Sequence, residues 1–186
     1  MALVGESGSG KTLSCRAILR ILPLSARILS GQIKLSCRGS EFDLARLSER
    51  KMRGIRGDLV SMIFQEPMRS LSPLHRVGEQ VLEVLLLHRD CSKSDAKRLV
   101  MAEFEHVGFN DPERAYKQYP FELSGGMQQR AMIAMATVAK PELLIADEPT
   151  TALDMTTQAQ VLGLLKSLQA ESGICLLYTS PSPRDS

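Results

Sequence analysis

Short apolar runs alternate with amphipathic stretches along the 186 residues of this chain. Residues 2–4, 59–64 and 143–146 are apolar runs of strand length, and residues 32–36 alternate as an exposed antiparallel strand does. Apolar side chains recur at helical spacing over residues 11–22, 44–53, 77–88, 94–107, 126–139 and 156–171. Strands that alternate with helices predict an α/β fold, in which helices cover both faces of a mostly parallel sheet.

Composition narrows the class of protein. The hydrophobic fraction of 44% is enough for one buried core, and the net charge of +2 is ordinary. Aromatic residues make up only 4% of the chain and Trp is absent, so we expect no nucleic-acid partner. No apolar run reaches the 18 residues typical of a membrane span, and no secretory signal is visible. The cysteines are scattered, which favours reduced thiols over a metal site.

Both ends of the chain resemble interruptions of a longer sequence. Residues 175–185 read Cys-Leu-Leu-Tyr-Thr-Ser-Pro-Ser-Pro-Arg-Asp, and all eleven match the translation of a transposon-end sequencing adapter. We therefore interpret residues 175–186 as an adapter remnant and set them aside. The apolar start runs directly into a glycine-rich turn, which predicts a chain that begins inside a buried strand.

That glycine-rich turn fits a phosphate-binding loop. Residues 5–12 read Gly-Glu-Ser-Gly-Ser-Gly-Lys-Thr, the pattern GxxxxGK[ST], between a predicted strand and a predicted helix. Backbone N–H groups of such a loop bind a triphosphate, the lysine reaches the β- and γ-phosphates, and the hydroxyl holds Mg²⁺. We expect nucleotide contacts from Gly5, Glu6, Ser7, Gly8, Ser9, Gly10, Lys11 and Thr12, with Lys11 also catalytic and Thr12 a metal ligand.

Two carboxylates follow the apolar run at residues 143–146. Ligands gather at the carboxyl ends of parallel strands, so Asp147 and Glu148 are expected beside the phosphate loop. Asp147 would hold the Mg²⁺ shell, and Glu148 would polarise a water molecule as a general base. Alone this pattern is weak, because an apolar run followed by Asp-Glu is common.

A second glycine pair lies at the start of a predicted helix. Residues 123–130 read Leu-Ser-Gly-Gly-Met-Gln-Gln-Arg, which leaves backbone N–H groups available at the helix start. Such a sequence is often only a helix cap. However, one chain needs only one triphosphate site, so a second phosphate-binding surface suggests a head-to-tail dimer in which it closes on the partner's ATP.

Taken in this order, the motifs resemble the ATP-binding family of ABC transporters over residues 1–174. The resemblance implies a P-loop NTPase of the ABC type with a partial antiparallel β portion, a helical subdomain, and ATP and Mg²⁺ as cofactors. It implies that Gln65 contacts Mg²⁺ and serves catalysis, and that Asp154 lies at a dimer interface. By the same resemblance, the residues facing the partner's ATP are Ser124, Gly125, Gly126 and Gln128.

Finer detail resembles the dipeptide, oligopeptide and nickel importers. Residues 62–68, 119–120 and 146–154 support this, whereas Ser72, Phe121 and Gln128 stand where Asn, His and Arg are usual. The implied function is an ATPase subunit at the cytoplasmic face of the inner membrane. Its implied partners are a second ATPase subunit, two membrane-spanning permease subunits and, indirectly, an extracytoplasmic solute-binding protein.

The resemblance also predicts what this chain lacks. It divides residues 1–174 into a nucleotide-binding core, 1–65 and 141–174, and a helical subdomain, 66–140. The aromatic that stacks on adenine would precede Met1, the switch histidine would fall where the adapter segment begins, and a C-terminal extension is missing. His75, His88 and His106 are expected in surface or capping roles. We therefore expect the chain as it stands to hydrolyse ATP poorly.

Two non-transport classes of ABC ATPase are the alternatives. Those of DNA repair and chromosome maintenance carry long coiled-coil or zinc-bearing insertions, and translation factors carry two cassettes. Between Gln65 and Leu123 the sequence has no heptads and no cysteine pairs, only short predicted helices. The importer interpretation is therefore favoured.

Overall fold

The structure, a computed structural model, describes residues 1–6, 8–66, 70–150 and 153–181. Its strands, in chain order, are β1 (Ala2–Gly5), β2 (Lys34–Cys37), β3 (Ser40–Asp43), β4 (Val60–Ile63), β5 (Leu143–Asp147) and β6 (Cys175–Pro181). Its helices are α1 (Lys11–Leu19), α2 (Glu49–Ile55), α3 (Val77–His88), α4 (Lys93–His106), α5 (Pro112–Lys117), α6 (Gly125–Thr137) and α7 (Met155–Ser172), with a 3₁₀ turn at Pro120–Glu122.

A parallel sheet in the order β1-β6-β5-β4 forms the centre of the molecule. Leu143 of β5 pairs with Val60 on one side and with Cys175 on the other, and Asp147 pairs with Thr179. The strands therefore end at one edge, where β1 leads into the glycine-rich turn and β5 ends in Asp147. β2 and β3 form a separate antiparallel hairpin.

Helices cover both faces of this sheet. Ile145 packs with α1 and α2, in a cluster that includes Cys15 and Met52. Its neighbours Leu144 and Ala146 face the other way and belong to a larger cluster built from α3 to α7. Alternate side chains of one strand thus bury into two different helical layers, which fixes the direction of the acids that follow. Among the described residues, no helix is both long and apolar enough to cross a membrane.

The predicted α/β class is confirmed, and several element boundaries differ from the prediction. α1 ends at Leu19 rather than residue 22, because Arg20 adopts the left-handed conformation (φ 54°) and closes the helix on the carbonyls of Arg16 and Ala17. α2 begins after Ser48, whose hydroxyl accepts from the Lys51 N–H, rather than at residue 44.

Besides the 3₁₀ turn at Pro120–Glu122, three elements were not predicted. β3 completes the hairpin with β2, and α5 begins with Asp111 as its cap and a proline in its first turn. Residues 175–181, set aside as an adapter remnant, form β6, which lies between β1 and β5. β1, expected to be buried, alternates between exposed and half-buried positions because it lies at the edge of the described sheet. The division into core and helical subdomain stays a prediction.

Candidate nucleotide site

The phosphate loop joins the end of β1 to the start of α1. Gly8 and Gly10 have φ values of 78° and 90°, a region that other residues adopt only with strain. Gly10 caps α1 through its backbone and contributes no side chain. The first N–H groups of α1 therefore meet no capping side chain, an arrangement suited to an anion. Ser7 lies outside the described residues.

Packing inside the loop also explains its first glycine. A Cβ atom at Gly5 would lie 2.8 Å from the Oγ of Ser9, so a larger side chain would displace that serine. The Ser9 N–H donates to the Glu6 carbonyl at 3.2 Å, which tightens the turn. Gly5, Glu6 and Ser9 thus form one compact turn before the start of α1.

Lys11 lies inside this turn. Its side chain is only 6% exposed, and its Nζ donates to the carbonyls of Gly5 at 2.7 Å and Glu6 at 2.9 Å. A buried ammonium needs such acceptors, because leaving it unpaired would be costly. The positive charge is thereby held beside the loop N–H groups.

Thr12 connects the loop to the acidic strand. Its hydroxyl donates to Asp147 Oδ1 at 2.9 Å, and the Thr179 hydroxyl donates to the same oxygen at 3.0 Å. Asp147 is 1% exposed, yet its Oδ2 has no hydrogen-bond partner among the described residues. A buried carboxylate oxygen without a donor indicates a place for an absent positive group.

Gln65 and Glu148 meet on the other side of this acid. The Nε2 of Gln65 donates to Glu148 Oε2 at 3.1 Å. Glu148 itself has a φ of 47°, in the left-handed region, and its backbone N–H donates to the Thr179 hydroxyl at 2.9 Å. Thr179 therefore bridges the two acids, since it donates to one side chain and accepts from the backbone of the other.

The oxygen groups of this site suit Mg²⁺ better than they suit a metal whose ligands all come from the protein. No group of three or more His, Cys, Asp or Glu that could hold a metal occurs in the described part of the chain. Mg²⁺ prefers oxygen ligands and is commonly held by one or two protein groups together with water and phosphate oxygens. The Thr12 hydroxyl and Oδ2 of Asp147, which has no partner among the described residues, are such groups. Gln65 contacts Glu148, the residue that follows Asp147.

The second glycine pair starts α6. Ser124 caps this helix, and its hydroxyl accepts from the Met127 N–H at 3.3 Å. Ser124 and Gly125 are exposed, whereas Gly126 packs against Thr157 so closely that a Cβ atom there would lie 3.0 Å from Thr157 Cγ2. The exposed start of α6 therefore offers N–H groups to solvent or to a partner.

The structure places the Gln128 side chain inside its own chain, and its role facing a partner's ATP stays a prediction. Its side chain is 8% exposed, and its Nε2 donates to the carbonyls of Pro120 at 2.8 Å and Leu123 at 3.1 Å. The side chain thus holds the preceding turn of its own chain.

Asp154 caps α7. Its Oδ1 accepts from the Thr157 N–H at 3.0 Å and its Oδ2 from the Thr157 hydroxyl at 2.6 Å. These hydrogen bonds, the side-chain one foremost, lower the pKa of the exposed Asp154 carboxyl below its ordinary value. The side chain lies on the surface beside the start of α6, and its role at a dimer interface stays a prediction.

One residue of the site was missed from sequence, and a second, Thr179, lies in the segment interpreted as an adapter remnant, an interpretation that stays a prediction. Gln129 is 1% exposed, and its Nε2 donates to the carbonyl of Pro149, immediately after Glu148, at 2.6 Å. No local pattern distinguishes it, because its neighbour Gln128 is the same residue type.

The three histidines lie away from this site. His75 contacts the Ser72 hydroxyl at 3.0 Å, and His88 lies against Gly57. His106 is bonded to Glu171 at 2.9 Å and lines a cavity of about 680 Å³ with Pro141. That cavity lies where β5 and β6 begin, at the edge of the sheet opposite the acids. Surface and helix-end positions are as predicted for all three.

A glycine-rich loop wrapped around a lysine, facing an acidic strand end across one sheet edge, defines a P-loop nucleotide-binding domain. A model of the ABC transporter family matches residues 1–151, and the chain belongs to that family.

Relatives of known name agree with this membership. The chain is 49% identical to a Brucella ovis protein described as a peptide import ATP-binding protein, over 97% of this chain and 54% of that protein. It is 48% identical to the dipeptide transport ATP-binding protein DppD of Bacillus subtilis, over 95% of this chain and 52% of that protein. The chain thus spans about half the length of the curated relatives it matches.

Solved structures show the same fold. A dimeric structure of the ATP-binding cassette MJ0796 in a post-hydrolysis state, bound to ADP and Pi, superposes with a TM-score of 0.78. Sequence identity to it is 27%, and the match covers 96% of this chain and 73% of that chain. Together with the family match, this confirms the predicted ABC-type P-loop fold.

Proposed function

We propose that this chain is the ATP-binding and ATP-hydrolysing part of an ABC importer subunit. The transported solute is a peptide or, as the resemblance also implies, nickel. The observation that supports this proposal most is the hydrogen bond between Thr12 and Asp147, because it joins the phosphate loop to the acidic strand. The names of the relatives in Brucella ovis and Bacillus subtilis favour peptides.

ATP binds first through the backbone of the loop. The N–H groups around Gly8 and Gly10 and the start of α1 surround the phosphates, and the helix adds about half a positive charge. Lys11, now bonded to two loop carbonyls, exchanges them for β- and γ-phosphate oxygens. That exchange replaces neutral acceptors with charged ones, which form stronger hydrogen bonds.

Thr12 and Asp147 would hold the Mg²⁺ that accompanies ATP, and this ion would neutralise charge on the phosphates. Glu148 acts as general base, accepting a proton from the attacking water at its carboxylate. Gln65 orients that carboxylate through the hydrogen bond to Oε2. Thr179 fixes the spacing between the two acids, because its hydroxyl touches both.

The dimer supplies the remaining contacts. Ser124 and Gly125 are exposed at the start of α6, so a second subunit's ATP can reach their N–H groups. The dimeric form of the similar cassette MJ0796 supports this arrangement. The subunit pair then works on two membrane-spanning permease subunits at the cytoplasmic face, supplied with solute by an extracytoplasmic binding protein.

The shape of the region after Gln65 supports transport over the non-transport ABC classes. Described helices α3, α4 and α5 are 12, 14 and 6 residues long and pack into one cluster with α6. A compact helical layer of this kind suits contact with membrane subunits.

A binding experiment tests the nucleotide site directly. Titration of the chain with a fluorescent ATP analogue should show saturable binding that Lys11→Ala weakens by at least about tenfold, since a charged hydrogen bond contributes more than 1.4 kcal/mol. Lys34→Ala is the control, because Lys34 is exposed on β2 and pairs with Glu41. Equal affinity in both variants would remove the phosphate loop from the site.

A further inference from the structure

Gln129 links the glycine-started helix to the peptide beside the catalytic acid. It lies on α6, is 1% exposed, and donates to the Pro149 carbonyl at 2.6 Å. Pro149 directly follows Glu148 and has no N–H, so its carbonyl is the hydrogen-bonding group that its backbone offers. The contact joins two segments 20 residues apart that belong to different parts of the proposed site.

The Glu148 backbone needs such support. Its φ of 47° is unfavourable for a residue with a Cβ atom and persists only where neighbouring groups hold it. On one side, the Glu148 N–H donates to Thr179 in β6. On the other side, Gln129 donates a hydrogen bond to the carbonyl of Pro149, the residue after Glu148. The acid is therefore fixed between the sheet and α6.

α6 is suited to transmit a displacement. After its exposed start, Ala131, Met132, Ile133 and Ala134 are each at most 1% exposed and pack into the larger core cluster. A helix buried along its length moves as one body, since a close-packed core does not deform gradually. A shift at Ser124 therefore reaches Gln129 and, through it, Pro149.

We propose that Gln129 is a positioning residue for hydrolysis, which sets the Pro149–Thr150 peptide, and with it the adjoining Glu148, according to the position of the exposed start of α6. The inference rests on the proposed function, in which that start contacts the partner's ATP. Occupation of the partner's site would then adjust Glu148 in this subunit through one side-chain hydrogen bond. The two sites of the dimer are thereby coupled.

The test compares Gln129→Met with Thr137→Val in the complete gene product. Met keeps the length and the helix propensity of Gln but has no donor for the Pro149 carbonyl. Thr137 is a matched control, because it is also a buried hydrogen-bonding residue of α6 but lies at the opposite end, where its hydroxyl is within hydrogen-bonding distance of Glu103 and of the Ile133 carbonyl. Hydrolysis rate against ATP concentration, binding of a fluorescent ATP analogue and melting temperature are measured for each.

For Gln129→Met we expect kcat to fall at least about fivefold, the lower range of coupling between sites, with KM changed less than about twofold. We also expect a Hill coefficient nearer to 1 and unchanged analogue affinity. A merely structural role would lower the melting temperature in both variants and leave the Hill coefficient alone, and that result would overturn the inference. If Gln129→Met does not fold, Gln129→Leu, which is apolar, of similar volume and without a donor, is measured instead. Absence of analogue binding by the unsubstituted protein would instead refute the proposed function.

Discussion

The Thr12 hydroxyl donates a hydrogen bond of 2.9 Å to Asp147, a residue 135 positions further along the chain. The bond joins the first turn of α1 to the end of β5 and leaves the second oxygen of Asp147 without a partner among the described residues. The two oxygen groups that suit Mg²⁺ are thus brought together before any ligand arrives.

Thr12→Val should therefore weaken nucleotide binding only when Mg²⁺ is present. Valine keeps the shape of threonine but removes the hydroxyl, and loss of support to a metal typically reduces its affinity by about 10- to 100-fold. Titration with a fluorescent ATP analogue, with Mg²⁺ and with a chelator, measures the difference. Ser14→Ala is the control, because Ser14 is an exposed hydroxyl two residues further along α1, bonded to the Gly10 carbonyl. Equal loss of affinity with and without Mg²⁺ would argue against a metal role for Thr12.

Glu148→Gln should trap an ATP-bound dimer of the complete gene product. The amide cannot accept the proton of the attacking water, so hydrolysis should fall by about a hundredfold or more while ATP still binds. Size-exclusion chromatography with ATP and Mg²⁺ measures the dimer. Glu142→Gln is the matched control, because Glu142 lies just before β5 at the opposite edge of the sheet, paired with Arg38. Normal turnover in Glu148→Gln would remove Glu148 from the role of base.

The sequence predicted the parts of this site that depend on local patterns. The phosphate loop, the acids after a buried strand and the glycine pair before a helix are each defined within about eight residues. Their meeting at one edge followed from the parallel sheet, since the carboxyl ends of such strands lie together.

The features that the sequence did not predict depend on the direction in which a side chain points rather than on its residue type. Gln128 and Gln129 are chemically identical neighbours, and a helix turns by about 100° from one residue to the next, so the inward contacts of each follow only from packing. Thr179 was missed because its segment matches an adapter sequence, although in the structure it pairs with Asp147 in the register of β6. Likewise, α1 ends before the predicted residue 22 because Arg20 adopts a left-handed conformation, and nothing in the residue type of arginine predicts that conformation.

Burial of Cys15 gives a prediction about pH. Burial, with a smaller contribution from the negative charge of Asp147, raises the pKa of the Cys15 thiol from its ordinary value of 9.0 to about 11. Between pH 9 and pH 11 the Cys15 thiol therefore keeps its proton in the folded chain and loses it in the unfolded chain. The free energy of unfolding should therefore fall as the pH rises from 9 towards 11. Urea titrations at pH 8 and pH 10.5 should show a larger fall for the unsubstituted chain than for Cys15→Ala. Equal falls would show that the thiol does not contribute.

The position after Thr179 gives the last prediction. None of the three histidines lies near Asp147 or Glu148, so we expect the chain to hydrolyse ATP slowly. Ser180 follows the threonine that touches both acids, at the end of the sheet where the nucleotide would bind. A histidine there could exchange a proton with the reacting groups, and positioned acid–base groups accelerate reactions by about a hundredfold or more.

Ser180→His should therefore raise the hydrolysis rate of this chain, measured as phosphate release at saturating ATP and Mg²⁺. Ser172→His is the control, because Ser172 ends α7 at the opposite edge of the sheet, where its hydroxyl donates to the Leu168 carbonyl. The gain should disappear when Glu148→Gln is added, since the histidine acts on the same water and phosphate. A gain that survives Glu148→Gln, or one that Ser172→His matches, would show that the added imidazole works outside this site.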